Sequence, residues 1–435
     1  MTKNTAKVAI IGFGTIGSGV ARLLLEQGDR IARSAGQRVE LVQIVDPDVV
    51  RPRNVALPPG MLTGDLSKVL DNPEIAVVVQ LIGGLEPDRT VMLKVLESGK
   101  DVVTANKALL AEHGPELFDR ARQLGRSIAF EAAVGGGIPI IAAINQSLTA
   151  NQIQSIHAIL NGTSNFILTQ MGDQESEYSD ALAEAQQLGY AEANPAMDVN
   201  GSDAAQKLAI LAHLAFGARV HWKDIPRTGI DKVHVTDMRY AKELGYNIKL
   251  LAVAELVPEG LELHVSPTLV RQRSPLAQVD GAYNAIRVVG DAVGRVFFHG
   301  LGAGQMPTAS ACVADVIDTL LGRAAISFRT LDLWSSRRVA PVALRDPATV
   351  PGRFYLRFNV DDRPGVMAEI AGILGHHKIS IASVIQHETD EAAEGIVPLV
   401  IMTHASSEGA MRQAMETINC LASVHPGSVR MRVRD

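Results

Sequence analysis

The most constraining feature of this chain is a glycine-rich turn directly after its first apolar run. The run Val8–Ile11 is followed by Gly12, Phe13, Gly14, Thr15, Ile16 and Gly17, and a helical pattern begins at once. A G-x-G-x-x-G turn between a strand and a helix is typical of a dinucleotide site. Its glycines permit a tight turn, a close approach to a pyrophosphate and close packing of helix on strand. The motif alone leaves open an ordinary βα turn without a ligand.

Length and composition narrow the class of protein. A chain of 435 residues is too long for one ordinary core, so we expect two or three domains. A formal net charge of -6 argues against a surface that binds nucleic acid. The two cysteines, Cys312 and Cys420, suggest neither a disulfide framework nor a cysteine metal site. The N-terminus shows no signal-peptide pattern and no apolar stretch is long enough to span a membrane, so we expect a cytoplasmic protein.

The first part of the chain alternates strand and helix signals. Apolar runs predict strands over 8–12, 39–45, 76–82, 101–104 and 127–133, and periodic patterns predict helices over 87–98 and 115–124. This βαβ alternation predicts an N-terminal Rossmann-like, doubly wound parallel sheet in an α/β chain. We expect the dinucleotide-binding domain to cover 1–134.

Three charged residues after the second strand bear on which cofactor binds. Asp46 ends that strand, where an acid hydrogen-bonds a ribose 2′-hydroxyl and favours NAD. Arg51 and Arg53 follow closely and are suited to a 2′-phosphate. Asp46 is also further from the glycines than the usual spacing, and the arginines fit a solvated loop equally well. The preference between NAD and NADP therefore stays open.

The remaining chain changes character twice. Strand signals at 153–160, 247–256, 260–266 and 285–298 mix with helical patterns and predict an α+β substrate and dimerisation domain over 135–306. A helical segment, 307–340, is expected to return to the dinucleotide domain, and 341–352 is a proline-punctuated linker. A βαββαβ pattern over 353–435 predicts a ferredoxin-like module.

Acids and a lysine gather in the segment 188–207. Asp203 and Lys207 stand four residues apart on a predicted helix whose other positions are largely apolar, so they share a face. A lysine on a buried helix needs a partner or a function. The alternative is a plain ion pair near a helix start, which spacing alone does not separate from a catalytic pair.

Two further positions follow strands of the predicted sheet. Lys107 comes after the strand 101–104, and the carboxyl ends of parallel strands face the ligand crevice, which places it near a nicotinamide. A surface lysine at a helix start is the other interpretation. Glu131 ends the strand 127–133, where one carboxylate with nearby carbonyls is able to hold a hard cation.

Taken together, six segments resemble homoserine dehydrogenase in its single-activity bacterial form with a C-terminal ACT domain. The resemblance covers nearly the whole chain, and its most specific part is the long segment 189–207. The segments are GFGTIG (12–17), TANK (104–107), EAAVGGGIP (131–139), LNGTSNFIL (160–168), GYAEANPAMDVNGSDAAQK (189–207) and GAGQMPTASA (302–311).

The resemblance implies an activity and a set of site residues. The family reduces L-aspartate 4-semialdehyde to L-homoserine reversibly with NADPH or NADH. It implies Lys207, Lys107 and Asp203 as catalytic residues, with Lys207 as the proton donor. It implies a substrate site made of Glu192, Asp203, Asp198, Thr163 and Tyr190. It places the cofactor against the glycine turn and Thr104, Lys107, Gly189 and Gly304, and a structural sodium ion against Glu131, Val134, Gly136 and Ile138.

The same resemblance implies partners. It predicts a homodimer or homotetramer with an amino-acid effector, L-threonine, at the ACT domain, in threonine, methionine and isoleucine biosynthesis. One departure is Asn194, where many relatives carry an acid. Two other functions stay open: a Rossmann dehydrogenase of another amino or hydroxy acid, and a non-catalytic sensor of NAD(H) and amino acids. Retention of both Lys107 and Lys207 favours an enzyme.

Overall fold

The computed structural model describes residues 5–332, 334–335, 342–387 and 395–434. The end of the predicted returning segment 307–340 and the start of the predicted linker 341–352 lie partly outside these residues. Contacts divide the chain into two units. Unit 1 is 1–153, 206–224 and 289–342, and unit 2 is 154–205, 225–288 and 343–435.

Sixteen strands occur in the described ranges. In chain order they are β1 (Thr5–Ile11), β2 (Arg38–Val45), β3 (Leu62–Thr63), β4 (Ile75–Gln80), β5 (Asp101–Thr104), β6 (Ile128–Ala129), β7 (Ile153–Ile159), β8 (Tyr246–Val257), β9 (Gly260–Arg271), β10 (Tyr283–Gly290), β11 (Gly294–Leu301), β12 (Pro351–Asp361), β13 (Ile381–Ile385), β14 (Ile396–Thr403), β15 (Ser406–Ser407) and β16 (Val424–Arg434).

Fifteen α-helices accompany them in the same ranges. They are α1 (Thr15–Glu26), α2 (Gly28–Ala35), α3 (Ser67–Leu70), α4 (Asp88–Glu97), α5 (Lys107–Gln123), α6 (Ile140–Ala142), α7 (Gly162–Asp173), α8 (Tyr178–Gln187), α9 (Ala196–Val199), α10 (Ser202–Phe216), α11 (Val235–Glu243), α12 (Gln305–Leu320), α13 (Arg323–Leu331), α14 (Val366–His376) and α15 (Glu408–Ile418).

Unit 1 is built on a parallel sheet. Its strand order is β3-β2-β1-β4-β5-β6, and each neighbouring pair is parallel. This is the doubly wound order, with the switch point between β1 and β4. Apolar side chains of the sheet and of α1, such as Val8, Ile10 and Val20, share one core with Ala309 and Val316 of α12. The predicted Rossmann-like sheet is confirmed.

Unit 2 contains a mixed sheet. Its neighbouring strands run in the order β10-β7-β8-β9-β16-β12-β14-β13. Strands β8 and β9 form a long antiparallel hairpin, and β16 then joins β9 in parallel through Arg432–Arg434. Strands β12, β14, β13 and β16 with α14 and α15 form the predicted ferredoxin-like module, around a core that includes Phe354, Phe358 and Ile370.

Four sequence predictions about segments are wrong in extent. The strand expected over 260–266 continues to Arg271 as β9, because it pairs with β8 along its whole length. The strand expected over 127–133 pairs only through Ile128–Ala129, since the chain turns into a 3-10 helix at Glu131–Ala133. The strand expected over 285–298 is two strands, β10 and β11, because the chain reverses at 291–293. The helix expected over 115–124 begins at Lys107, so Pro115 lies inside it. Among the described residues, no helix combines the length and apolar character needed to cross a membrane.

Candidate active site

The glycine turn in unit 1 has the geometry that a pyrophosphate site requires. Gly12 has a φ of +96°, and a Cβ there would lie 2.7 Å from the backbone of Leu81. A Cβ on Gly17 would lie 2.1 Å from the carbonyl oxygen of Gly12, so α1 packs against the turn only because Gly17 has none. Gly14, in contrast, faces open space within 4 Å. The chain therefore fits a dinucleotide whose phosphates meet the N-terminus of α1.

A cleft of about 350 Å³ opens beside this turn, entirely within unit 1. Gln305, which directly follows Gly304, donates hydrogen bonds of 3.0 Å to the carbonyl of Thr15 and to the hydroxyl of Ser18. The cleft is lined by Phe13, Gly14, Thr15, Ser18, Arg22, Arg51, Pro52, Arg53, Asn54, Val55 and Gln305. Five residues of the predicted cofactor set therefore line this cleft: Phe13, Gly14, Thr15, Arg51 and Arg53.

Asp46 and Arg53 contact each other at the end of β2. Their closest nitrogen and oxygen atoms are 3.2 Å apart, and Arg53 also donates to the carbonyl of Phe13 at 3.0 Å. The second carboxylate oxygen of Asp46 accepts the backbone N–H of Phe13 at 2.6 Å. Arg51, in contrast, is exposed. The two arginines therefore differ in their contacts. The guanidinium of Arg53 is bound by Asp46 and by the Phe13 carbonyl, whereas the side chain of Arg51 lines the cleft and is exposed.

Lys107 is the first residue of α5 and follows the carboxyl end of β5 by three residues. Asn106 caps this helix by accepting the N–H of Leu109, and its amide donates to Asp88 at 2.5 Å. Burial raises the pKa of Asp88 to about 6, against the opposing hydrogen bonds from Gln80 and Asn106. Thr104 is fully buried, and its hydroxyl accepts the N–H of Asn106 at 3.1 Å. The start of α5 is therefore fixed by a polar network inside unit 1.

In unit 2, one buried amide joins two of the predicted acids. The side-chain nitrogen of Asn161 donates to Asp198 at 2.7 Å and to Asp203 at 2.8 Å. Its oxygen accepts the N–H of Ser164 at 2.7 Å, so the same residue caps α7. Asn161 is 5% exposed and Asp203 is equally buried. Two carboxylates and one amide therefore form a preorganised cluster.

Sequence reasoning missed Asn161. The residue stands in the segment 160–168, between a strand and a helix, and this position is an N-cap signal. That signal predicts the cap with Ser164 but not the contacts with Asp198 and Asp203, which lie 37 and 42 residues away.

The other predicted substrate residues of unit 2 are Thr163, Tyr190 and Glu192. Thr163 donates its hydroxyl proton to the carbonyl of Tyr190 at 2.7 Å. The Tyr190 ring packs in a tilted arrangement against the ring of Phe166, with 4.7 Å between the ring centroids. Gly189 takes a φ of +78° at the end of α8, which turns the chain toward Glu192, an exposed side chain. Asp203 lies in the first turn of α10, and Lys207 is buried one turn later in the same helix. The boundary between the units falls within α10, so Asp203 belongs to unit 2 and Lys207 to unit 1.

The predicted cation residues lie in one short stretch of unit 1. The carboxylate of Glu131 accepts the N–H groups of Ile141 at 2.9 Å and Ala142 at 2.7 Å. Burial raises its pKa to about 7, although these two hydrogen bonds oppose the rise. Val134, Gly136 and Ile138 are buried nearby in sequence. A carboxylate with backbone carbonyls is an oxygen donor set that fits a hard cation. Among the described residues, no group of three or more His, Cys, Asp or Glu side chains forms a metal cluster.

Comparison with known proteins agrees with this geometry. Family models described as "Homoserine dehydrogenase, NAD binding domain", "Homoserine dehydrogenase" and "ACT domain" match residues 12–131, 139–317 and 354–419. A homoserine dehydrogenase of Pseudomonas aeruginosa is 43% identical over 98% of both chains. The chain belongs to the homoserine dehydrogenase family.

Solved structures extend the similarity to the fold. The crystal structure of a homoserine dehydrogenase from Thiobacillus denitrificans has a TM-score of 0.91 and 40% identity, and the match covers 99% of each chain. A hyperthermophilic archaeal homoserine dehydrogenase in complex with NADPH has a TM-score of 0.60 and 25% identity, and covers 73% of this chain and 98% of its own. The chain is thus a nicotinamide-dependent oxidoreductase with an ACT domain, and the non-catalytic sensor is set aside.

Proposed function

We propose that this enzyme reduces L-aspartate 4-semialdehyde to L-homoserine reversibly, with NADPH or NADH, in threonine, methionine and isoleucine biosynthesis. The observation that carries the proposal is the cluster in which Asn161 holds the carboxylates of Asp198 and Asp203. An amino-acid substrate has an ammonium group that needs a carboxylate, and in this cluster the carboxylate of Asp203 is already oriented by Asn161. Lys207 lies one helical turn beyond Asp203.

Each residue then has a role. Lys207 donates a proton to the oxygen of the aldehyde as that oxygen becomes an alkoxide, and Lys107 at the start of α5 supports this charge and the substrate carboxylate. Glu192 and Asp203 bind the substrate ammonium and hydroxyl. Asp198, Thr163 and Tyr190 complete the substrate site, in which Thr163 already contacts the Tyr190 carbonyl.

The cofactor supplies the hydride when it is bound. We assign its pyrophosphate to the turn Gly12–Gly17 and its ribose to the cleft lined by Arg51 and Arg53, next to Asp46, which contacts Arg53. Thr104, Lys107, Gly189 and Gly304 are assigned to its remaining contacts. The NADPH complex of the archaeal relative supports NADPH as one of the two cofactors.

We also propose a structural sodium ion, held by Glu131, Val134, Gly136 and Ile138. Its support is the buried oxygen donor set, since a cation would compensate the charge of a carboxylate buried this deeply. Thermal unfolding in sodium and in choline chloride at equal ionic strength tests it. Stabilisation by sodium that Glu131→Gln removes is expected, and equal melting in both salts contradicts the ion.

Regulation and assembly are further parts of the proposal. We propose that L-threonine binds at the ACT turn 361–365 and lowers activity, and that the chain forms a homodimer or homotetramer in the cytoplasm. Gly365 has a φ of +98° and caps α14, which leaves backbone N–H groups for a carboxylate. The domain limits 1–134, 135–306, 307–340, 341–352 and 353–435 stay predictions, for which limited proteolysis is the test.

The deciding experiment follows NADPH and NADH oxidation at 340 nm with aspartate 4-semialdehyde. Turnover with this substrate, and a much lower kcat/KM with other amino- or hydroxy-acid aldehydes, is expected. Preference for another aldehyde supports the alternative dehydrogenase instead. Cofactor binding without turnover on any of them contradicts the proposed chemistry.

A further inference from the structure

A basic cavity of about 430 Å³ lies within unit 2, away from every residue assigned above. Its walls come from the segment 226–228, from β9, from the segment 345–350 that precedes β12, and from β12, α15 and β16 of the ACT domain. The ACT turn at Gly365 is not among its lining residues. The cavity is therefore distinct from both the proposed substrate site and the proposed threonine site.

Two buried polar side chains of β9 line this basic cavity without hydrogen-bond partners. His264 is only 5% exposed, yet its two ring nitrogens have no hydrogen-bond partner within the described part of the chain. The hydroxyl of Ser266 also has none there. Nδ1 of His264 lies 3.2 Å from Glu262, outside hydrogen-bonding geometry. Buried polar groups are nearly always satisfied, so Nε2 of His264 and the hydroxyl of Ser266 need a partner from outside the described chain.

The charge of the lining indicates the sign of that partner. Five arginines face two glutamates around the cavity. Glu408 already contacts Arg430 and Arg432, and Glu262 contacts Arg432 at 3.7 Å, so both glutamates are engaged. Arg412 is exposed on α15 and adds a further guanidinium. Burial, together with Arg432 and Arg434, holds the pKa of His264 well below its usual range, so its neutral ring offers one donor and one acceptor.

We propose that the basic cavity binds a small organic anion with two negative charges, of the dicarboxylate or phosphate-ester class. Guanidinium groups bind carboxylates and phosphates through paired hydrogen bonds, and His264 and Ser266 supply the donors for the remaining oxygens. A cavity of about 430 Å³ is large enough for a small organic ligand. Since the lining joins β9 to the ACT domain, the anion bridges the catalytic sheet and the regulatory module.

The test measures binding to the full-length protein by titration calorimetry at constant ionic strength. Inorganic phosphate and succinate are the two probes, because they separate the phosphate source from the dicarboxylate source. Arg412→Gln removes one lining charge and leaves the ion pairs of Glu408 in place. Arg273→Gln, an exposed arginine of the same unit outside the lining, is the matched control.

We expect one saturable site per chain for at least one probe. Arg412→Gln should weaken it about tenfold or more, and Arg273→Gln should leave it unchanged. A second variant, His264→Gln, should weaken it while the far-ultraviolet circular dichroism stays that of the wild type. Absence of saturable binding for both probes overturns the proposal, as does an equal loss in the two arginine variants. Both measurements are independent of turnover, so failure of the proposed activity would leave them interpretable.

Discussion

At the scale of single residues, the proposed proton donor, Lys207, gives the sharpest expectation. Lys207→Ala should lower kcat by roughly 10²–10⁴-fold and leave the dissociation constant for NADPH unchanged, because general-acid catalysis is lost and cofactor binding is not. Steady-state kinetics and fluorescence titration measure the two quantities. Lys232→Ala, an exposed lysine of unit 2, is the control. A Lys207→Ala enzyme with more than about a tenth of wild-type kcat contradicts the role.

Asn161 allows its positioning role to be separated from its capping role. Asn161→Ala and Asn161→Ser both remove the amide that joins Asp198 to Asp203, so both should raise KM for the semialdehyde about tenfold or more. Only the alanine variant also loses the cap of α7, at a cost of about 1 kcal/mol in unfolding free energy. If KM follows the loss of stability instead of the loss of the amide, the residue is only a cap.

Asp88 predicts a pH dependence of stability. Its pKa of about 6 in the fold lies above the value of 3.8 expected for an unfolded chain, so the folded protein binds the proton more tightly. The stabilising contribution is complete below pH 4 and is lost as pH rises through about 6, a change on the order of 2–3 kcal/mol. Urea unfolding between pH 4 and 7 should therefore show a flatter profile for Asp88→Asn than for the wild type. Parallel profiles would refute the shift.

At the scale of elements, we expect the loop after β2 to set the preference between NADPH and NADH. Arg53 is fixed by Asp46 and by the carbonyls of Phe13 and Arg51, so Arg53→Ala should lower kcat/KM for NADPH and NADH alike. Arg51 is exposed, and Arg51→Ala should lower kcat/KM for NADPH alone, by about tenfold. The wild type should use both cofactors. A preference above about a thousandfold, roughly 4 kcal/mol, would show that one charge dominates.

Two exposed acids of the ACT domain test whether threonine binds at the turn 361–365, because one lies in this turn and the other lies on α15. Asp362 is exposed beside Gly365, and Asp362→Ala should remove a partner for the threonine ammonium and raise the inhibitory concentration about tenfold. Glu416→Ala, on α15, should leave the inhibition curve unchanged. Activity without threonine should be the same in both variants. Inhibition that persists unchanged in Asp362→Ala would place the effector elsewhere.

These elements show what the sequence determines and what it leaves out. Periodicity and the glycine turn were sufficient for four strands of the sheet of unit 1, β1, β2, β4 and β5, and for the βαββαβ module, because both signals are local. The short β6 was not predictable, since the turn at Glu131 depends on N–H groups ten residues away. The cluster at Asn161 and the basic cavity depend on contacts between distant strands and helices, which a single sequence does not record.

At the scale of the whole molecule, the ACT domain is a structural part of unit 2. Strand β16 extends the sheet beside β9, and Asp237 of α11, fully buried, accepts hydrogen bonds from Tyr355 at 2.9 Å and Arg357 at 2.6 Å. Deleting residues 350–435 would expose the edge of β9 and leave the Asp237 carboxylate without these donors. Truncation should thus destabilise the catalytic part, and point variants are the better test of regulation.

A double-mutant cycle measures the coupling free energy between Arg357 of the ACT domain and Asp237 of α11. Arg357→Met leaves the buried carboxylate of Asp237 without its guanidinium and should cost about 3–5 kcal/mol of unfolding free energy. Adding Asp237→Asn removes that charge but keeps an oxygen that accepts the N–H of His234 at 3.0 Å, so the double variant should be more stable than Arg357→Met alone. Urea unfolding of the four proteins measures the coupling. If Arg357→Met costs less than about 1 kcal/mol, the magnitude expected for an exposed pair, this ion pair does not join the two parts.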